Sequence, residues 1–172
     1  MSNLDFQTAL NHVLSSEGGF VHHPSDPGGM TNLGVTRAVW EEWVGRESSE
    51  KEMRSLTPEM VAPLYKRKYW DRVKCDDLPA GVNYAVFDAS VNSGTGRAAK
   101  WLQEAVGAVP DGAIGPNTLA KVKAHDADSL VNAYCDNRLD FLKGLKTFDT
   151  FGKGWTRRVE EVRQVALDAS RT

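Results

Sequence analysis

Long apolar runs are missing from these 172 residues, and no stretch approaches the length of a membrane-crossing helix. The start, Met1-Ser2-Asn3-Leu4-Asp5, has neither a basic region nor an apolar core, so no secretory leader is read there and synthesis in the cytoplasm is expected. An excess of one charge is missing too: 21 Lys and Arg stand against 23 Asp and Glu, a formal net charge of -2. Without a basic field, nucleic acid is not expected as a partner. The only cysteines, Cys75 and Cys135, lie far apart with no CxxC spacing, and read as free thiols in a reducing cytosol. The histidines are His12, His22, His23 and His125, with no HExxH and no cysteine–histidine cluster, so no metal is expected. There is no GxSxG, P-loop or dinucleotide fingerprint, and no cofactor is expected.

What is present is a dense stretch from Glu17 to Thr36. Upstream of it, Phe6, Leu10, Val13 and Leu14 recur at helical spacing, which predicts a helix over roughly Leu4–Ser16, with Ser2 and Asp5 as a capping box. Glu17 falls on the same face, one turn after Val13, and Gly18-Gly19 stops the helix there. Apolar neighbours and the negative end of the helix dipole both disfavour a charged carboxyl, and a general acid must carry a proton. Asp26, in Asp26-Pro27-Gly28-Gly29, sits in strong turn chemistry, where a carboxylate stays hydrated and ionised. Two carboxyl groups in contrasting settings suit glycosidic bond cleavage. A buried structural Glu beside an ordinary Asp turn is the competing reading.

The rest of the chain reads as a series of helices. Thr31, Leu33 and Val35 alternate with Asn32 and Gly34, which predicts a short hairpin. Thr36 precedes a helix carrying Val39, Trp40, Trp43 and Val44; it is either the cap of that helix or a functional hydroxyl, which leaves Thr31 as the better functional candidate. Residues 45–55 read as a solvated connection. Thr57-Pro58 opens a helix with Val61, Leu64, Tyr65 and Tyr69 on one face. The run Lys66-Arg67-Lys68 beside Tyr69-Trp70 is a wet helix face or a contact for anionic peptide stems. After Leu78-Pro79-Ala80-Gly81 a helix carries Val82, Ala85, Val86 and Ala89; Asn92 on its apolar face is a helix-end polar group or faces substrate. Helices follow around Trp101, from Pro116, around Tyr134 and around Val159, with a tight connection expected at Gly152 and Gly154.

Glu17-Gly18-Gly19-Phe20, Asp26-Pro27-Gly28-Gly29 and Thr31-Asn32-Leu33-Gly34-Val35-Thr36 resemble the signature of glycoside hydrolase family 108, phage-type N-acetylmuramidases that act as endolysins. The spacing Glu17-x8-Asp26 also resembles that of phage-type lysozymes. There a Thr follows the Asp after five residues, whereas here Thr31 follows after four and Thr36 after nine. The likeness continues through Tyr69-Trp70-Asp71, Phe87–Gly94, Leu102-Gln103 and Asp111–Pro116, the last also similar to non-catalytic peptidoglycan-binding domains.

The resemblance implies a mainly α, lysozyme-like fold with a short N-terminal β-hairpin at the active-site cleft. It implies one catalytic domain, residues 1–75 carrying the motif and 76–172 forming a helical peptidoglycan-binding-like lobe. The implied reaction is hydrolysis of β-1,4 bonds between N-acetylmuramic acid and N-acetylglucosamine, with Glu17 as acid, Asp26 activating water and Thr31 holding it. Thr36, Tyr69, Trp70 and Asn92 are the substrate-binding candidates. The implied partner is the glycan strand of bacterial peptidoglycan. A monomer is expected, reaching the periplasmic wall by way of a holin or similar route. A lytic transglycosylase, a chitinase-like glycosidase and a non-catalytic wall-binding module are the alternatives.

Overall fold

The computed structural model describes residues 5–22 and 29–171, which form two compact units: 6–68, and 69–171 with Asp5. The division falls between Lys68 and Tyr69, inside the basic–aromatic run, where the sequence reading divides the chain after residue 75.

In the N-terminal unit, α1 (Phe6–Glu17) buries Ala9, Leu10, Val13 and Leu14, the stripe its spacing predicts. Ser2 of the expected capping box lies outside the described residues. A three-stranded antiparallel sheet follows, in the order β1 (Val21–His22), β2 (Met30–Asn32) and β3 (Val35–Thr36), one strand more than the expected hairpin. Thr36 caps α2 (Arg37–Val44), and Gly45 ends it in the left-handed conformation. The stretch read as a solvated connection instead holds a helix, α3 (Glu50–Arg54), capped by Ser49, with Met53 fully buried. Its charges hid the helix because only one residue per turn needs to face inward. Thr57 caps α4 (Pro58–Tyr65), with proline at the first helical position, and a π-helical turn (Lys66–Trp70) continues from it.

The C-terminal unit has helices and loops but no strand among its described residues. A 3-10 turn (Cys75–Asp77) leads into α5 (Val82–Ser93), in which every residue from Val82 to Ser90 is buried. A helix covered all round belongs at the centre, and α6 (Thr95–Val106), α8 (Ala127–Lys143) and α9 (Phe148–Ser170) all pack on α5. The centre is charged. Asp88 on α5, 1% exposed, accepts from Arg138 Nη1 of α8 at 2.8 Å and from Arg158 Nη2 of α9 at 3.1 Å. Arg138 Nη2 donates on to Asn92 Oδ1 at 3.0 Å.

Buried Gln103 on α6 clasps the loop that precedes α7 (Pro116–Lys123). Its amide nitrogen donates to Asp111 Oδ1, the Ala113 carbonyl and Thr118 Oγ1, and its amide oxygen accepts from the Gly112 N–H. The Asp111–Pro116 motif is thus a folded loop held from beneath.

α9 runs unbroken through Gly152 and Gly154, where a tight connection is expected from sequence. Glycine inside a helix costs about 1 kcal/mol relative to alanine but does not forbid the helix. At Gly152 packing supplies the reason: a methyl there would stand 2.8 Å from the ring of Phe148.

Replacing Asp88 with Asn leaves the guanidinium of Arg138 buried without its counter-charge. Loss of one partner from a buried ion pair destabilises by about 3–5 kcal/mol. Urea denaturation of D88N should show a loss of that size; a loss below about 1 kcal/mol would mean that the triad does not hold the unit together.

Candidate active site

Glu17 is the last residue of α1, and Gly18, at φ 80°, turns the chain out of the helix. The Glu17 side chain is half-buried and its methylenes lie over Gly34: a methyl on Gly34 would stand 3.0 Å from Glu17 Cγ and 3.1 Å from its Cβ. Gly34 and Leu33 are the two residues between β2 and β3, at φ 77° and 53°. Positive φ at both central positions is the requirement of a type I′ hairpin turn. Glycine meets it freely, whereas a leucine held left-handed costs about 1–2 kcal/mol. The compensating contact comes from α4, where buried Tyr65 donates its hydroxyl to the Leu33 carbonyl at 2.7 Å. The imagined methyl on Gly34 would also stand 2.6 Å from that hydroxyl. Only a residue without a side chain fits between Glu17 and Tyr65.

The sheet next to this turn has two unlike faces. Met30, Asn32 and Val35 are buried on one. Asn32 Nδ2 donates to the carbonyls of Met53 at 2.8 Å and Arg54 at 3.4 Å, satisfying groups that the end of α3 leaves open. On the other face Thr31 stands opposite Val21 on one side and Thr36 on the other, so these three side chains form one row across the sheet. Thr36 is exposed, and its Oγ1 accepts from the Val39 N–H at 3.2 Å, which makes it the helix cap and leaves its hydroxyl proton directed elsewhere.

α3 holds β1 as well. Arg54 lies 4.2 Å over the ring of Phe20, and His22 Nδ1 is 3.3 Å from Glu50. α3 is itself fastened through Glu52, which accepts from Trp40 Nε1 at 2.8 Å, Arg46 Nη1 at 2.6 Å and Ser48 Oγ at 3.1 Å. The Arg46 guanidinium above all, then the Trp40 indole, hold the Glu52 carboxyl down at about 2.

Of the expected site residues, the structure gathers Glu17, Thr31 and Thr36 in the N-terminal unit. Asp26 lies outside the described residues. Tyr69 is half-buried in the C-terminal unit. Trp70 corrects the expectation of a substrate contact: it is 1% exposed, edge-on to Phe87, and donates its indole N–H to Asp76, so no face of its ring is left for a sugar. Asn92 is exposed at the end of α5, which stops at Ser93 and Gly94 as the helix-end reading expects, and its side-chain oxygen accepts from Arg138. Sequence reasoning missed Gly34 and Tyr65 as the support of Glu17. The signal was there in Leu-Gly between alternating residues, a turn dipeptide, but nothing in the sequence joins it to a tyrosine on α4.

Among the described residues no group of His, Cys, Asp and Glu is arranged to hold a metal ion. Cys75 and Cys135 are free and buried; burial raises both thiols, Cys135 to about 11, so neither is a nucleophile at neutral pH. What the N-terminal unit offers is a half-buried carboxyl on a rigid support and a row of hydroxyls on the sheet next to it.

Comparison with known proteins fits that chemistry. Residues 10–94 match the family model described as Glycosyl hydrolase 108, and residues 97–160 match the Predicted Peptidoglycan domain. The solved structure of SagA from Brucella abortus is 51% identical, with a TM-score of 0.86, the alignment covering 97% of this chain and 96% of that one. No curated protein matches. The fold is accordingly mainly α and lysozyme-like, with a small antiparallel sheet near its start.

Two outcomes test the support of the carboxyl. Gly34→Ala should lose about 1–2 kcal/mol from the positive φ alone, and activity should fall further than Leu33→Ala makes it fall, because only the new methyl displaces Glu17; equal losses would remove the steric argument. The Glu52 carboxyl, depressed from 4.5 to about 2, adds stability that is complete above pH 4.5 and is lost as pH falls toward 2. Thermal melts of wild type and Glu52→Gln should therefore differ most above about pH 5 and converge toward pH 2; a constant gap would show that packing, not charge, is the source.

Proposed function

The chain belongs to the glycosyl hydrolase 108 family, and from that premise we propose that it is a muramidase, hydrolysing the β-1,4 bond between N-acetylmuramic acid and N-acetylglucosamine. The family and the adjoining peptidoglycan domain support a glycosidase acting on peptidoglycan. The observation that supports a muramidase is Glu17 at the end of α1, seated on Gly34 beside the Thr31–Thr36 row.

In this reading Glu17 gives its proton to the glycosidic oxygen as the bond to the muramic acid anomeric carbon breaks. The bonding electrons leave with the protonated N-acetylglucosamine hydroxyl, and positive charge develops on the muramic ring. Water then adds to the anomeric carbon and loses a proton to Asp26. Thr31, on the outer face of β2, orients that water through its hydroxyl. Fixing the acid on a helix end and the hydroxyl on a short sheet holds both without reorganisation during the reaction. Phage origin, host lysis, a monomeric state and delivery by a holin are parts of the same proposal.

Glu17→Gln keeps the shape and removes the transferable proton. Release of soluble fragments from purified peptidoglycan should fall by at least about a hundredfold, the scale of general acid catalysis, with an unchanged melting curve. Near-normal turnover would remove Glu17 from the mechanism. Mass spectrometry of wild-type products should show reducing muramic acid ends, and Asp26→Asn should abolish most of them. Anhydro ends would instead identify a lytic transglycosylase, in which the sugar's own hydroxyl replaces water. Cleavage of chitin oligomers in preference to peptidoglycan would point to a chitinase-like enzyme.

A further inference from the structure

Phe20 leads into β1, the edge strand of the sheet, which holds Val21 and His22. α3 grips two of these three residues. Arg54 lies 4.2 Å over the Phe20 ring, Glu50 lies 3.3 Å from His22 Nδ1, and the rings of Phe20 and His22 meet edge to face at 6.5 Å. Alternate residues of a strand share a face, so Val21, between them, is turned to the opposite one. It stands there 46% exposed. Strand preference accounts for a β-branched residue at this position, but not for an apolar one left in water on an edge strand, where charged side chains are the usual protection. Among the described residues Val21, Met60, Val109 and Phe151 are the large apolar side chains that stand exposed, and of these Val21 is the one in the row with Thr31.

The row has a chemical order. Val21 on β1, Thr31 on β2 and Thr36 on β3 present an apolar surface, then one hydroxyl, then a second. Directly opposed side chains of antiparallel strands stand about 4.5–5.5 Å apart at Cβ, a gap that a single acetamido group bridges. Its methyl then lies on Val21, and its N–H or carbonyl meets the Thr31 hydroxyl. That hydroxyl has one donor and two acceptor positions, so it keeps one for the water assigned to it. An amine, or an amide without the methyl, leaves Val21 facing water and gains nothing from it.

We propose that Val21 is a specificity-determining residue, which selects N-acetylated sugars by receiving the acetamido methyl beside Thr31. This rests on the reading of Glu17 and Thr31 as parts of a site for a peptidoglycan glycan, and adds the group by which the sheet recognises it.

The test uses one peptidoglycan preparation, de-N-acetylated and then re-acylated with either acetyl or formyl groups, so that the two substrates differ by one methyl per amide. Wild-type kcat/KM should favour the acetylated form by at least about fourfold, the factor expected for burying one carbon of that size. Val21→Ser removes both methyls of the side chain and should bring the ratio close to one. Val21→Ile keeps an apolar surface and the strand preference and should retain it. Melting curves check that both variants fold. A ratio unaltered in Val21→Ser, or absent from the wild type, would overturn the assignment. So would an equal loss of rate on both substrates, since both keep the lactyl methyl and that result would place Val21 against it. The comparison is repeated as binding of soluble fragments of the two polymers to Glu17→Gln protein, where no bond breaks. The same ratio there, with anhydro ends from the wild type, would defeat the muramidase mechanism and leave the acetamido contact standing. Reducing ends with no preference for acetyl over formyl would do the reverse.

Discussion

One hydrogen bond, from the Tyr65 hydroxyl to the Leu33 carbonyl, carries the geometry of the N-terminal unit. The two-residue turn it meets places a leucine in a conformation that leucine disfavours, and a two-residue loop between twisted strands accepts little else. The bond holds the turn down, the turn brings Gly34 beneath Glu17, and Gly34 leaves space for that side chain because it has none of its own. The strands on either side are then fixed in register, which sets Thr31 opposite Thr36. A carboxyl and two hydroxyls drawn from three elements are thereby placed by one buried phenol.

The same unit shows how a short sheet becomes stable at all. Three strands of two or three residues bury too little to stand alone. Asn32 and Arg54 attach them to α3, and α3 is attached in turn through Glu52 to Trp40 and Arg46. The C-terminal unit uses the opposite scheme: a fully covered helix carries a carboxylate at its centre, and two arginines from separate helices converge on it. Such a triad adds little net stability over apolar packing, but it penalises any arrangement of α5, α8 and α9 that separates the charges.

Much of this was legible in the sequence, because periodicity and caps are local. Leu10 and Val13 mark α1, Thr36 and Thr57 cap the helices they precede, and Pro116 opens α7, all as spacing and capping chemistry dictate. The misreadings have a common cause, which is that a side chain's partner lies far along the chain. Trp70 reads as a substrate-binding candidate until Phe87 and Asp76 are seen to enclose it. Asn92 stands at a helix end as read, but nothing local shows that Arg138 meets it from a helix some forty residues on. Residues 45–55 read as solvated because their charges are counted, yet Glu52 spends its charge on Trp40, Arg46 and Ser48, and Met53 is buried beneath.

Gly152 is the instructive case. In sequence a glycine pair among phenylalanines breaks a helix, and that inference uses the backbone alone. In the structure the helix continues because Phe148 occupies the space that a side chain would have filled. Gly34 and Gly152 thus serve one end in different units: each removes a methyl so that a larger side chain can lie against the main chain. Over Gly34 the side chain is that of Glu17; at α9 it is the ring of Phe148. Neither role shows in helix or strand propensity, since both depend on what occupies the vacated space.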